Sequence, residues 1–272
     1  MTTPLRLQDI TWQEVEDYTK EQSIILFPIG ATEQHGPSAA LGLDTYNALH
    51  LAEDVSSKTG VMTAPPAWYG DSSHHTAFPG TVSIRSETLI LYLKDIFRSF
   101  IKHGLNKIVV INGHKLTNLS AITIAAREVH EFDYPESIIA IADPAKFGRA
   151  GGRKAKGDIT EHHAGVLEVS QLLYKRPDLV KTQLLKDTSV QYKEIFSKWG
   201  VYDLFGSPLN EEGDSIDIVW NSEEQRRFAP TGQFSDNSSA SHEIGKQYHE
   251  YMVEVLINFV EWLRKYSGPI GK

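Results

Sequence analysis

Four apolar runs, SIILFPIG (23–30), GVMTAPP (60–66), KIVVING (107–113) and SIIAIADP (137–144), are continuous rather than alternating. That pattern suits strands covered on both faces of a parallel sheet. Between the runs the period changes to that of a helix. Tyr46, Leu49, Leu51 and Val55 recur at roughly helical spacing from Asp44 to Lys58, with Asp44 or Thr45 as the capping residue. SETLILYLKDIFRSFIKHG (86–104) predicts a second helix, capped by Ser86 and stopped at Gly104, and TNLSAITIAAREVHEF (117–132) a third. Ala240 to Lys265 predicts a long final helix that buries Ile244, Tyr248, Met252, Val255, Phe259 and Trp262. Strand alternating with helix predicts an α/β fold with a doubly wound, mainly parallel sheet, whose ligands bind beyond the carboxyl ends of the strands.

Beyond about residue 186 the periodicity weakens, and the stretch from 202 to 239 mixes Gly, Pro and acidic residues with Trp and Phe. We expect one domain over residues 1–272 with a functional loop at about 187–239. Trp199, Tyr202, Phe205 and Trp220 could form a lid over a small planar or cyclic substrate, or pack against a neighbouring subunit.

Composition narrows the chemistry. The 272 residues include no cysteine, so disulfides, thiolate nucleophiles and Cys-ligated metals are excluded. A formal net charge of −8 argues against a nucleic-acid partner. The basic stretch GRAGGRKAKGD (148–158) lacks the Ser/Thr and following helix of a phosphate-binding loop, and we expect a solvated glycine-rich loop there. The first residues show no signal-peptide core, and no apolar run approaches the roughly 18 residues of a membrane span. The expectation is a cytoplasmic protein with no membrane partner.

The polar residues of interest follow the strands. Glu33, His35 and Asp44 fall within twelve positions after the first run and supply one imidazole and two carboxylates, a set suited to Zn²⁺, Mn²⁺ or Fe²⁺ but too small to complete a site. His114 follows the third run, on the same expected sheet edge, and is a candidate fourth ligand. Asp71, Ser73, His74 and His75 follow the second run and are candidate substrate contacts; for each singly a hydrogen-bonded loop role is the simpler reading. In EHHAGVLEVSQLL (161–173), His163 and Glu168 open a helix, where spacing alone favours Glu168 as a carboxylate stabilised by the helix N-terminus.

The blocks PIGATEQHGPSAALGLDT, HHTAFPGTVSI, INGHKLTN and HAGVLEVS resemble, in order and separation, the signature blocks of the creatininase (creatinine amidohydrolase) family. The resemblance spans roughly residues 20–175 and extends to GQFSDNSSASHEIGKQ before the last helix. It implies a three-layer α/β sandwich, a homo-oligomer that is often a hexamer, and one or two divalent ions, Zn or Mn with Fe as a further option. Carried over by position, Glu33, His35, Asp44 and His114 match metal ligands, Asp44 being able to bridge two ions. Glu168 takes the place of the last carboxylate, and His163 matches a histidine that moves a proton to the leaving group. The chain departs from the family at Leu116, where creatininase has a glutamate, at Val166, where many members have one, and at His74, where the family often has Glu.

The function implied is hydrolysis of a small cyclic or amide substrate, with metal-activated water attacking a carbonyl and a C–N bond breaking. Two alternatives stand beside it: hydrolytic C–C cleavage of a cyclic ketone such as an oxidised inositol in carbohydrate catabolism, and a non-catalytic scaffold. On these assignments His35→Ala or Asp44→Ala abolishes activity, whereas Gln34→Ala matters much less.

Overall fold

The computed structural model describes residues 3–115, 117–157, 162–188 and 219–266, together with the backbone of 199–200 and 214–215. In chain order the elements are α1 (Trp12–Glu21), β1 (Ile24–Ile29), α2 (Leu43–Thr59), β2 (Met62–Thr63), α3 (Ser86–Lys102), β3 (Lys107–Asn112), α4 (Thr117–Glu128) and β4 (Ile138–Ala142). There follow α5 (Pro144–Phe147), α6 (Arg149–Lys156), α7 (Val166–Lys175), β5 (Trp199–Gly200), β6 (Asp214–Ser215), α8 (Ser222–Phe228) and α9 (His242–Lys265). Strands β1 to β4 form a parallel sheet in the order β2-β1-β3-β4, with Ile25 opposite Met62 and Ile29 opposite Asn112.

The continuous apolar runs have their cause in two separate cores. Ile25, Phe27, Ile108 and Val110 pack under α3 and α4 against Leu89, Leu93, Phe97 and Ile122. The alternate residues Ile24, Leu26, Val109 and Ile111 pack under α2 and α9 against Leu51, Val55, Met252 and Leu256. Each strand residue therefore meets apolar neighbours whichever way it points. The result is the expected α/β sandwich of three layers. Because β2 and β3 flank β1 on opposite sides, the chain reverses its winding between the carboxyl ends of β1 and β3. This switch point is where an open α/β sheet leaves a crevice.

Several sequence expectations are corrected. Residues 149–156 are the helix α6, not a loop. Its glycines serve packing: a Cβ on Gly151 would lie 2.4 Å from Tyr251 Cδ1, so only glycine lets α6 approach α9 this closely. Helix α2 is capped at Gly42, which places Asp44 inside the first turn with its carboxylate available for other partners. Arg85 rather than Ser86 is the N-cap of α3, and the Ser86 hydroxyl donates to the Asp71 carboxylate instead. On α9, Tyr248 and Met252 are buried as expected, but the stripe continues through Val253, Leu256, Val260 and Leu263, leaving Trp262 exposed. Helix α1 is an addition to the expected elements: it is held by a Thr11–Glu14 capping box and contains no fully buried residue, so its apolar pattern is weak.

Of the expected lid, Tyr202, Phe205 and the Trp199 side chain lie outside the described residues, as does Leu116. Trp220 packs edge-on against Phe228 at 4.7 Å between ring centroids. Among the described residues no helix is long and apolar enough to cross a membrane.

Candidate active site

Backbone crowding at the switch point brings the candidate ligands together. A Cβ at Gly30 would lie 2.3 Å from Thr45 N, and one at Gly113 would lie 2.1 Å from Asp44 O. The ends of β1 and β3 thus press on the first turn of α2, which only glycine permits. Glu33 and His35 from the loop after β1, Asp44 from α2 and His114 from the loop after β3 meet there, all buried.

The imidazoles of His35, His114 and His163 are each oriented by a backbone carbonyl behind the ring. His35 Nδ1–H donates to Glu33 O at 3.2 Å, which turns Nε2 to Asp44 Oδ1 at 3.0 Å. His114 Nε2–H donates to Asp71 O at 2.9 Å, which turns Nδ1 to Asp44 Oδ2 at 3.2 Å and Glu33 Oε1 at 3.3 Å. His163 Nε2–H donates to Gln34 O at 2.6 Å, which turns Nδ1 to Glu33 Oε1 at 3.6 Å. A ring nitrogen fixed as donor leaves the other free as acceptor or ligand, the arrangement that supports metal-bound histidines. Asp44 reaches His35 with one oxygen and His114 with the other, so its carboxylate spans the two imidazoles.

Two ligand groups share Glu33. One atom each from Glu33, His74 and His114 lie within 4.8 Å of one another, and so do one atom each from Glu33, His35 and His163. Glu33 Oε2 is buried, with no hydrogen-bond partner among the described residues. An ionised carboxylate oxygen in such a place is costly unless a cation meets it. This donor set of imidazoles and carboxylates fits a divalent ion such as zinc or manganese.

Charge within the cluster is strongly redistributed. Burial alone would raise the Glu33 carboxyl, but His114 and His163 hold it down at about 2. Asp44 is likewise opposed by burial and held well below the usual carboxylate range by His35 and His114. His35 is disfavoured as a cation by burial, yet Asp44 and Glu33 raise it to about 9, and His114 is raised well above its ordinary value by Glu33 and Asp44 against the same burial. Burial lowers His163 and His74 to about 4, and His75 well below its ordinary value. The cluster therefore holds two imidazoles that favour the cation beside three that stay neutral at pH 7.

The remaining expected residues are placed as follows. Glu168 stands outside both ligand groups: one oxygen accepts from Ala164 N at 3.0 Å and the other pairs with Lys115. It is still near enough to act through space on His35 and His163. Asp71 is buried, with its carboxylate accepting from Ser73 N at 3.2 Å and from the Ser86 hydroxyl. Ser73 is exposed, whereas His74 and His75 are buried in the same 3-10 turn. Trp220 connects to the imidazoles through a chain of rings, Phe228, then Phe234, which lies 6.3 Å from His163 and 6.4 Å from His75.

Two positioning residues escape a reading of the sequence. Asn118 donates to Gly30 O at 2.9 Å and accepts from Asp71 N at 3.0 Å, tying α4 to both loops. Gln34 donates its amide hydrogens to His75 Nδ1 at 3.1 Å and Gly232 O at 3.0 Å, while its side-chain oxygen accepts from Gly36 N at 2.9 Å. Its place between two candidate ligands is the available signal, but a glutamine in a loop has no period to expose it. We expect Gln34→Ala to lower kcat/KM by about 10- to 100-fold, the usual cost of losing a residue that orients ligands. A variant within twofold of the parent would show that the network leaves the site unaffected.

Comparison with known proteins agrees with the geometry. The creatinine amidohydrolase (creatininase) family profile matches residues 8–260. A 3-dehydro-scyllo-inosose hydrolase of Thermotoga maritima is 33% identical over an alignment covering 99% of this chain and 86% of that protein. A creatinine amidohydrolase of Pseudomonas putida is 28% identical, covering 69% of this chain and 78% of that one. A crystal structure of creatinine amidohydrolase superposes with a TM-score of 0.77 at 23% identity, covering 97% of this chain and 99% of that chain. With the family profile spanning nearly its whole length and the same sheet beneath it, the chain belongs to the creatininase family of hydrolases.

Proposed function

We propose that the protein is a divalent-metal-dependent hydrolase that opens a small cyclic polyhydroxy diketone at a carbon–carbon bond. The metal rests on the buried Glu33 carboxylate, shared by two groups of imidazoles and left with an oxygen that has no hydrogen-bond partner among the described residues. The substrate reading is supported by similarity to the inosose hydrolase along 99% of this chain. Glu33, His35, Asp44 and His114 would hold the ion, with Glu168 beside them. A divalent cation held there would supply ionised water near neutral pH and polarise a carbonyl oxygen.

The chain's own residues account for the proton. His163 is neutral at pH 7, and its Nε2–H is committed to Gln34 O, so Nδ1 can accept the proton of the attacking water. The water oxygen adds to one ketone carbon, and the bond from it to the ring carbon lying between the two carbonyls breaks, with the electron pair delocalised into the second carbonyl. His163 returns the proton to that carbon, and the opened chain ends in a carboxylic acid at the attacked carbon. His75 and the Lys115–Glu168 pair supply polar groups suited to ring hydroxyls.

A second reading, hydrolysis of a cyclic amide, uses the same groups with nitrogen as the leaving atom; similarity to creatinine amidohydrolase favours it. The test is a pH-stat assay of the Mn²⁺- and Zn²⁺-loaded protein on a cyclic polyhydroxy diketone, with creatinine and formamides measured by product analysis. Acid release from the diketone alone is expected. Turnover of creatinine instead would establish the amide reading, and no turnover of any of them by a metal-loaded protein would leave the scaffold alternative.

A further inference from the structure

We propose that His74 is a metal ligand, completing with Glu33 and His114 a cation site distinct from the one around His35. This rests on the reading of the cluster as a metal centre and adds a residue to it.

The first support is placement. His74 offers a ring nitrogen within 4.8 Å of both a Glu33 oxygen and a His114 nitrogen. It is 5% exposed, so this nitrogen is turned into the protein rather than toward solvent. The two rings lie nearly parallel, 12° apart with centroids separated by 5.7 Å. That separation is wide for stacked rings in contact, and each ring offers an atom within 4.8 Å of the same Glu33 carboxylate oxygen.

The second support is the rigidity of the turn. Ser72 N donates to Ser83 Oγ at 2.9 Å, Ser73 N to Asp71 Oδ1 at 3.2 Å and His75 N to Ser72 O at 2.9 Å. Asp71 is itself gripped by Asn118 and Ser86. One short segment thereby does two things: the Asp71 carbonyl orients His114, and three residues later the chain presents His74 to the same point. A ligand held on a braced backbone loses little entropy on binding, which a surface-loop histidine would not achieve.

The third support is stoichiometry of donors. Glu33, His74 and His114 give two nitrogens and one oxygen, a three-ligand set with positions left for water or substrate. His35 and Asp44 remain for a neighbouring ion, and Asp44 Oδ2 lies 3.2 Å from His114 Nδ1, so this carboxylate can serve both. Two sites sharing Glu33 and Asp44 follow without any contribution from position 116.

Metal content separates this proposal from the proposed activity. The metal-free protein is titrated with Co²⁺, following visible absorption and bound metal per chain by elemental analysis, for the parent, His74→Ala and His74→Gln. Two equivalents are expected for the parent and one for either variant, or a second ion weakened by at least about 100-fold. Added imidazole should restore the second equivalent in His74→Ala. Circular dichroism on the metal-free proteins identifies a variant that fails to fold, in which case the parent's Co²⁺ count and the other variant decide. Two tight ions in a folded His74 variant with an unchanged Co²⁺ spectrum would overturn the proposal, as would a parent that binds fewer than two. A parent that binds two ions and hydrolyses no diketone would instead overturn the activity while leaving His74 as a ligand.

Discussion

Asp44→Ala is expected to lower hydrolysis by at least about 10³-fold, with divalent metal lost from the purified protein. Asp44 spans the cluster, with Oδ1 at 3.0 Å from His35 and Oδ2 at 3.2 Å from His114. On the proposed ligand assignment its removal takes away the carboxylate that both halves of the centre would share. Several kcal/mol of transition-state stabilisation come from a bound Lewis acid, which corresponds to about three orders of magnitude in rate. Asp44→Asn keeps the shape but loses the charge and should fall nearly as far. The fold should persist, because α2 buries Leu51, Ala52 and Val55 independently of the site. Elemental analysis and turnover on the same preparation provide the check, with Gln34→Ala as the comparison. If Asp44→Ala retained its metal and lost less activity than Gln34→Ala, the ligand assignment would be wrong.

Stripped of metal, the protein should become less stable as pH rises from about 6.5 to about 9, whereas the metal-loaded protein should not. His35 is raised to about 9 by Asp44 and Glu33 against the opposing effect of burial, from about 6.5 in an unfolded chain. A raised folded value means that the protonated form is the stabilised one. Its contribution is complete below the unfolded value and disappears as pH climbs through the folded one. For His35 this amounts to roughly 3 kcal/mol, and His114 shifts in the same direction.

His163 and His74 act oppositely. Both are lowered to about 4 by burial, so their contribution is present above about 6.5 and is lost as pH falls toward 4. Metal-free protein should therefore have its stability maximum near pH ~6.5, where the two windows meet. On the proposed ligand assignment, metal would displace protons from His35 and His114, so loading at pH 7 should release acid and strengthen with pH. Thermal melts with EDTA and with Zn²⁺ across pH 6–9 provide the measurement. An EDTA-treated melting temperature that stays level or rises between 6.5 and 9 would contradict the charge assignment.

The sheet was legible because its central strands β1 and β3 are buried on both sides, and a continuous apolar run is the direct imprint of that environment. The helices that cover it were legible as elements but less so in their rotation. On α9, Trp262 has the right spacing for burial and lies exposed, since the adjacent stripe through Val260 and Leu263 meets the sheet side. Helix α6 reads as a loop in isolation because of its glycines; the neighbour that requires them, Tyr251, is about a hundred residues away in sequence. For the site, Glu33, His35, Asp44 and His114 stood out by residue type and by position after strands. Gln34 and Asn118 did not, because their importance lies in which backbone atoms they reach.

The sequence by itself determined the residue chemistry: no thiol, a surplus of buried-type apolar runs, and imidazoles and carboxylates following the strands, together with blocks that resemble one hydrolase family. Only the tertiary structure decided how those groups share one point. Convergence depends on the register of β1 beside β3 and on the close approach of Gly30 and Gly113 to α2, distances that no local pattern encodes. It also decided that the turn at 73–75 brings His74 beside His114, and that a carbonyl behind each of His35, His114 and His163 selects the nitrogen facing Glu33 or Asp44. Hydrogen bonds and ligand geometry act over about 3 Å in space, whereas the sequence orders these same residues across some 130 positions.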